Sequence, residues 1–215
     1  MSDLGKIDRE LFDTVIYPEL GADREDVTLG PTHGIDFGVI DVGGDALVTA
    51  TDPLSVLPDL GFERAGRFAL DVVLADVAVS GIAPSHLSVT FTLPPAMSDD
   101  ELAAMWHGFA GRAEEVGVSV VTGHTARYAG VDYSWVGGAT VLGVGSHDDI
   151  VRPDGARAGD KLVVGTGPGP KSLACSPISF RNRSDCRPTE PPSHRSDWPT
   201  PRSSRTRWPR QTPAT

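Results

Sequence analysis

Residues 34–52 read GIDFGVIDVGGDALVTATD, and residues 62–95 read FERAGRFALDVVLADVAVSGIAPSHLSVTFTLPP. The first stretch predicts two strands, 37–42 and 46–51, joined at Gly43-Gly44, a dipeptide that suits a tight hairpin. In the second, Phe68, Val72, Ala75 and Val79 recur at helical spacing over 62–80, and Gly81 and Pro84 close the helix. Leu87, Val89, Phe91 and Leu93 then alternate, which puts them on one face of a strand over 87–93. Ser98-Asp99-Asp100-Glu101 is a capping box that opens a further helix, with Leu102, Met105, Trp106 and Phe109 along one stripe and Gly117 as its stop. Strands are expected at 118–121, 134–144 and 161–165, with a polar loop over 144–160. A short helix over 7–20, ended or bent by Pro18, precedes them all. The order α, β, β, α, β, α, β, β, β, with hairpins, predicts an α+β fold: a mixed sheet with helices on one face.

Composition divides the chain near Gly169. Residues 1–169 carry 10 Lys and Arg against 26 Asp and Glu, a net of −16, and hold all 24 glycines. Residues 170–215 carry 9 basic against 3 acidic residues, nine prolines and both cysteines, Cys175 and Cys186. The second part has no helical or strand periodicity, and too few apolar residues to offset the entropy of ordering a chain. A basic arm that binds nucleic acid, a plain disordered tail and an out-of-frame product are the three readings. The density of Arg, Pro, Ser and Thr favours the last, with the natural protein continuing past Gly169 in another sequence. The expected organisation is a folded domain over 1–150, the start of a second domain over 151–169 and an aberrant tail over 170–215.

The front part has two lysines, Lys6 and Lys161, and 19 of its 26 acidic residues are Asp. Such a surface stays hydrated and self-repelling, which suits a cytoplasm of high ionic strength. The overall charge of −10 argues against nucleic acid as the main partner. No apolar run is long enough to span a membrane. Residues 1–9 have no apolar signal core, so a cytoplasmic location is expected. Two cysteines make no disulfide scaffold.

Four positions could carry chemistry: Asp36 before the first strand, Asp52 at the end of the next, Asp76 inside an apolar helix and His124 after a strand. An Asp at a strand end is ordinarily a turn cap, and a His there ordinarily a satisfied core residue. Asp76 is sharper, because a carboxylate among valines is costly unless it is paired, ligates a metal or meets a cleft. Asp carboxylates converging on glycine-lined backbone would suit Mg²⁺ and a polyphosphate. The chain has no P-loop, no nucleophile elbow and no zinc motif.

The run from Gly34 to Pro95, followed by VSVVTGHT and ARAGDKLVV, resembles the aminoimidazole-ribonucleotide synthetase superfamily. That superfamily also includes thiamine-monophosphate kinase, selenophosphate synthetase and the HypE type of hydrogenase-maturation protein. The matching positions are Asp36, Thr51-Asp52, the stretch from Ala75-Asp76 to Pro84, and Thr122-Gly123-His124-Thr125. Ala75 stands where the family has Asn, Thr122 where it has Gly, and His124 where most kinase-like members have Asp. The histidine form is most like the HypE-related branch. The resemblance implies a domain that dimerises through its sheet into a shared barrel, binding ATP and Mg²⁺ near the dimer interface. It implies transfer of ATP phosphate to an oxygen of a small molecule or carrier group. Asp36, Asp52 and Asp76 would hold the metal, with Asp76 and His124 catalytic. Gly34, Thr51, Gly123 and Thr125 would bind the nucleotide. A nucleotide-binding paralogue without turnover, or an inactive truncated product, is the alternative.

Trypsin should remove the arginine-rich residues after Lys171 quickly and leave a stable front fragment. Survival of the tail through prolonged digestion would contradict the compositional division.

Overall fold

The computed structural model describes residues 6–161. The expected strand over 161–165 and the tail over 170–215 lie outside them, apart from Lys161, which is irregular. Six strands form one sheet: β1 (Val27–Leu29), β2 (Gly38–Val42), β3 (Asp45–Leu54), β4 (His86–Leu93), β5 (Ser119–Arg127) and β6 (Gly137–Gly145). Their spatial order is β1-β2-β3-β6-β4-β5. All neighbours are antiparallel except β4 and β5, which are parallel. A parallel pair needs a crossover, and the helix α3 (Asp99–Glu115) supplies it. The last strand, β6, inserts between β3 and β4, so the chain's two halves share one sheet.

The β2–β3 hairpin turns at Gly43 and Gly44, both with positive φ (67° and 96°), and Val42 pairs with Asp45. That geometry is the reason for two glycines in succession. Helix α2 (Phe62–Ala78) starts at Gly61, and α3 starts at the Ser98–Glu101 capping box, with both reciprocal hydrogen bonds present. Both 17-residue helices lie on one face of the sheet. Beneath them are Ala46, Val48 and Ala50 of β3, Leu87, Val89 and Phe91 of β4, and Val141 of β6, all buried. Phe91, Trp106 and Phe109 form an aromatic cluster, with Phe91 edge-on to the other two.

The helices cross where glycine replaces side chain. A Cβ on Gly66 would lie 2.0 Å from the Met105 carbonyl oxygen, and one on Gly108 1.9 Å from that of Glu63. Backbone therefore rests directly on backbone. Beside this contact an ionic chain crosses from α2 to α3. Arg67 donates to both oxygens of Glu115 (2.8 and 2.7 Å), and Arg112 donates to Glu115 (3.2 Å) and to Asp71 (2.8 Å).

Among the described residues, no helix covers the other face of the sheet. Cross-strand register places Ile40, Leu47 and Val144 in one row there, and Thr49 and Leu142 in the next. Val144 is 57% exposed. The expectation of an α+β sheet covered on one face is therefore met.

Several local expectations change. The helix expected over 7–20 is a short α-turn, α1 (Arg9–Leu11), followed by a π-turn (Phe12–Ile16) and a 3₁₀ turn (Tyr17–Glu19) holding Pro18. Its apolar residues find no surface: Leu11, Val15 and Ile16 are all exposed. β1, which was not expected, is a three-residue edge strand with a register shift against β2. The strand expected to end at Val121 continues to Arg127, because β4 pairs with it through Thr122–Arg127. The strand expected from Ser134 begins at Gly137.

Gly66→Ala and Gly108→Ala should each destabilise the fold by about 3 kcal/mol or more, because each new methyl meets backbone that cannot move alone. Gly111→Ala, with open space around its Cβ, should instead stabilise α3 by about 1 kcal/mol through helix propensity. Urea unfolding of the three variants tests this contrast.

The two arginines hold the Glu115 carboxyl at about 2, below its ordinary 4.5, chiefly through the Arg67 hydrogen bonds. A depressed folded pKa adds stability that is present above the unfolded value and is lost as pH falls through the folded one. Stability of the wild type should therefore fall more steeply than that of Glu115→Gln between pH 4.5 and 2, in melts at matched ionic strength.

Candidate functional site

The candidate residues fall into three places. Asp36 and Gly34 lie in the loop before β2, where Gly34 takes φ 84°. This loop separates two adjoining clefts. One, of about 410 Å³, lies against β1, β2 and β3 and is lined by Leu29, Ile35, Phe37 and Val39, with Asp36 and Thr51 among its polar groups. The other, of about 430 Å³, lies under the N-terminal turns and holds Gly34 and Asp36 together with Lys6, Arg9 and His33. Asp36 borders both, and its ion pair among the described residues is a loose one, 4.0 Å from the Lys6 ammonium.

Thr51 and Asp52 are neighbours in sequence, but strand alternation turns them to opposite faces. Thr51 is on the open face, where its hydroxyl meets that of Thr140 at 2.9 Å. Register extends this pair across four strands, through Ser88 on β4 to Thr122 on β5. The result is a row of hydroxyls on the uncovered face. Asp52 is half-buried on the helix side, between buried Ala50 and Leu54.

Asp76 is half-buried near the end of α2. The next residue, Val77, stands over Gly143 of β6, and Gly143 pairs with Val48. Asp52 is four residues further along β3, a separation of about 13 Å at strand rise. Among the described residues, no three carboxylates or imidazoles group closely enough to hold a metal ion. Asp36, Asp52 and Asp76 are therefore not members of any such three-group cluster in one copy of the chain.

Gly123, His124 and Thr125 lie inside β5, an edge strand with almost every residue exposed, rather than after a buried strand. β5 has a strand partner on one side only, which is why it is not buried. A Cβ on Gly123 would stand 2.5 Å from the Val89 carbonyl oxygen, so close strand packing alone accounts for that glycine. His124 pairs with Thr90 on the uncovered face, and its Nε2 lies 3.0 Å from the Tyr128 hydroxyl. Three strand spacings, about 14 Å, separate its strand from that of Thr51.

Lys6, His33 and Thr140 were not among the candidates. The scarcity of lysine in residues 1–169 could have drawn attention to Lys6. Nothing local marks Thr140, whose position opposite Thr51 follows from an 89-residue separation closed by the sheet.

One mixed sheet, two helices on one face and a bare, hydroxyl-bearing opposite face define the class of domain. Residues 34–145 match the family described as AIR synthase related protein, N-terminal domain, and the chain belongs to that family. It is 26% identical over 172 residues to a hydrogenase expression/formation protein of Methanocaldococcus jannaschii, covering 79% of this chain and 51% of that one. It is 32% identical over 144 residues to the selenide, water dikinase of Geobacter metallireducens (66% and 40%). It is 27% identical over 148 residues to the carbamoyl dehydratase HypE of Rhizobium leguminosarum bv. viciae (66% and 41%). The chain thus spans about half or less of the curated relatives it matches. Its fold also matches the thiamine monophosphate kinase ThiL of Aquifex aeolicus, solved with AMPPCP and TMP. That match has a TM-score of 0.52 and 22% identity, over 72% of this chain and 48% of that one. No helix among the described residues is long and apolar enough to cross a membrane.

Proposed function

We propose that this chain is the nucleotide-binding part of an ATP-dependent enzyme of the HypE-like branch, which moves a phosphoryl group from ATP to an oxygen of a small substrate or carrier group. The observation that carries this reading is the family match across residues 34–145. Asp36, Thr51, Asp52, Asp76 and His124 all lie within those residues. The relatives named above include a dikinase and a carbamoyl dehydratase, and the ThiL structure holds an ATP analogue.

In this reading the 410 Å³ cleft receives the nucleotide, and its apolar walls exclude water from one side. Gly34 lets backbone approach a phosphate, and the Thr51 hydroxyl donates to a phosphate oxygen. Gly123 and Thr125 present backbone and hydroxyl at the second place, where His124 orients the acceptor or a phosphate oxygen. The described residues of one copy do not supply a complete ligand set for Mg²⁺. Asp36, Asp52 and Asp76 would each serve a site completed by another copy or by the second domain. A homodimer through the uncovered face fits this incompleteness, because that face carries half-buried Ile40, Leu47 and Leu142 and exposed Val144, with no helix over them among the described residues.

A second reading, a paralogue that binds nucleotide without turnover, is favoured by Ala75, which stands in place of the motif's Asn, and by His124, which stands where most kinase-like members have Asp. Formation of ADP separates the two.

At a hundredfold excess over its dissociation constant, Mg-ATP should stabilise the wild type by roughly 2–3 kcal/mol. Asp36→Asn and Thr51→Val should lose most of that gain while melting normally without ligand, since both side chains are exposed. An equal ligand-induced shift in all three proteins would remove Asp36 and Thr51 from the site. No shift in the wild type would overturn the nucleotide assignment for this chain.

A further inference from the structure

The end of β5 holds a tyrosine–histidine pair on the bare face of the sheet. His124, Ala126 and Tyr128 share the parity of that face, with Tyr128 one residue past the strand. Four residues of extended chain span about 13 Å, too far for two upright side chains to touch. Here the Tyr128 side chain folds back along the strand. Its hydroxyl lies 3.0 Å from His124 Nε2, and the ring centroids are 6.4 Å apart with the planes tilted by 32°. Ala126, between them, is the one half-buried residue of a strand that is otherwise exposed. Its methyl group is small enough to let two rings meet across it.

The backbone that carries Tyr128 is fixed from two sides. Its amide donates to the Leu93 carbonyl (3.0 Å), which extends the β4–β5 ladder by one residue. Arg127, just before it, has the opposite parity. The Arg127 guanidinium donates to the Met97 carbonyl (3.3 and 3.2 Å) and to the Asp99 carboxylate (2.6 Å) at the start of α3. Tyr128 itself is 45% exposed, so burial alone does not dictate where its ring lies.

The chemistry of the pair places a proton. A neutral imidazole has one N–H donor and one bare nitrogen that accepts. A phenol oxygen shares its lone pair with the ring and accepts poorly, while its O–H donates well. The favoured arrangement has Tyr128 donating to Nε2, which leaves the imidazole proton on Nδ1. Free histidine in water prefers the opposite tautomer, with the proton on Nε2. Among the described residues, Nδ1 of His124 has no hydrogen-bond partner.

We propose that Tyr128 is a positioning residue: its hydroxyl holds His124 as the Nδ1–H tautomer, so that the imidazole meets an oxygen of the phosphate or acceptor as a hydrogen-bond donor. This rests on the placing of His124 in the site proposed above, and it decides which way that hydrogen bond runs. A donor held in place stabilises charge that develops on the oxygen, without reorganising during the reaction. A nitrogen that already carries a proton cannot take one from the acceptor, so Nδ1 of His124 is not a general base.

The test is the nitrogen NMR spectrum of the full chain with isotope-labelled histidine, at a pH where the imidazoles are neutral. Protonated and bare ring nitrogens resonate in well-separated ranges, and the His124 signals are those lost in His124→Gln. The wild type should show the proton on Nδ1. Tyr128→Phe keeps the ring and removes only the hydroxyl. It should move the signals toward the Nε2–H tautomer of free histidine and leave the melting temperature unchanged. It should also lower kcat for ADP formation several-fold, with the KM for Mg-ATP unchanged. A proton on Nε2 in the wild type, or the same spectrum in both proteins, would overturn the proposal. An equal kcat in the two proteins would overturn it as well, because the hydrogen bond would then have no part in the reaction. The tautomer is read without nucleotide, so a failure there is distinct from a failure of Mg-ATP to stabilise the protein.

Discussion

The contact between the backbones of α2 and α3 sets the shape of this domain. Gly66 meets the Met105 carbonyl and Gly108 meets that of Glu63, with no room for a methyl group at either crossing point. At this distance the two helices form one thin layer, and both reach the same face of the sheet. Large side chains then fill the space beneath: Phe91 and Phe109 are buried at its centre, and Leu70 and Val73 beside them. The ionic chain through Arg67, Glu115, Arg112 and Asp71 lies outside this contact and, being partly exposed to solvent, holds alignment more than it adds stability.

With both helices on one side, the other face of the sheet is left to hydroxyls and a few aliphatic residues. Its chemistry comes from register. Thr51, Thr140, Ser88 and Thr122 belong to four strands separated widely in sequence, and they align only because β6 inserts between β3 and β4. The same insertion holds His124 on the far edge, away from Asp36. In a single copy the candidate groups are thus distributed around the sheet rather than gathered. This distribution is the physical ground for the proposal that an assembly completes the site.

Local signals in the sequence carried most of the fold. Ser98 with Glu101 marked the start of α3, Gly43-Gly44 marked the hairpin, and the alternation of Leu87, Val89, Phe91 and Leu93 gave both strand and buried face. The misreadings have one cause. Spacing shows which residues could share a face, but not whether another surface is there to cover it. Leu11, Val15 and Ile16 have helical spacing and no neighbour to bury them, so the expected helix becomes a series of tighter and wider turns. β1 has three residues and an irregular register, too short for alternation to show. β5 extends through Gly123-His124-Thr125 because β4 pairs with it, a nonlocal fact. The side of the sheet that each site residue faces was partly legible: Thr51 and Asp52, adjacent on a strand, had to face opposite ways. Which strand residues Asp76 approaches was not, because it depends on where α2 crosses the sheet.

The central claim is that the bare face of the sheet is covered by a second copy, which completes a site that one chain leaves open. The most direct test is the mass in solution, measured by light scattering over a dilution series in molar salt. The account predicts twice the 22.7 kDa mass of the chain, with dissociation only at high dilution. A particle of 22.7 kDa at every concentration, with an undisturbed circular dichroism spectrum, would contradict it.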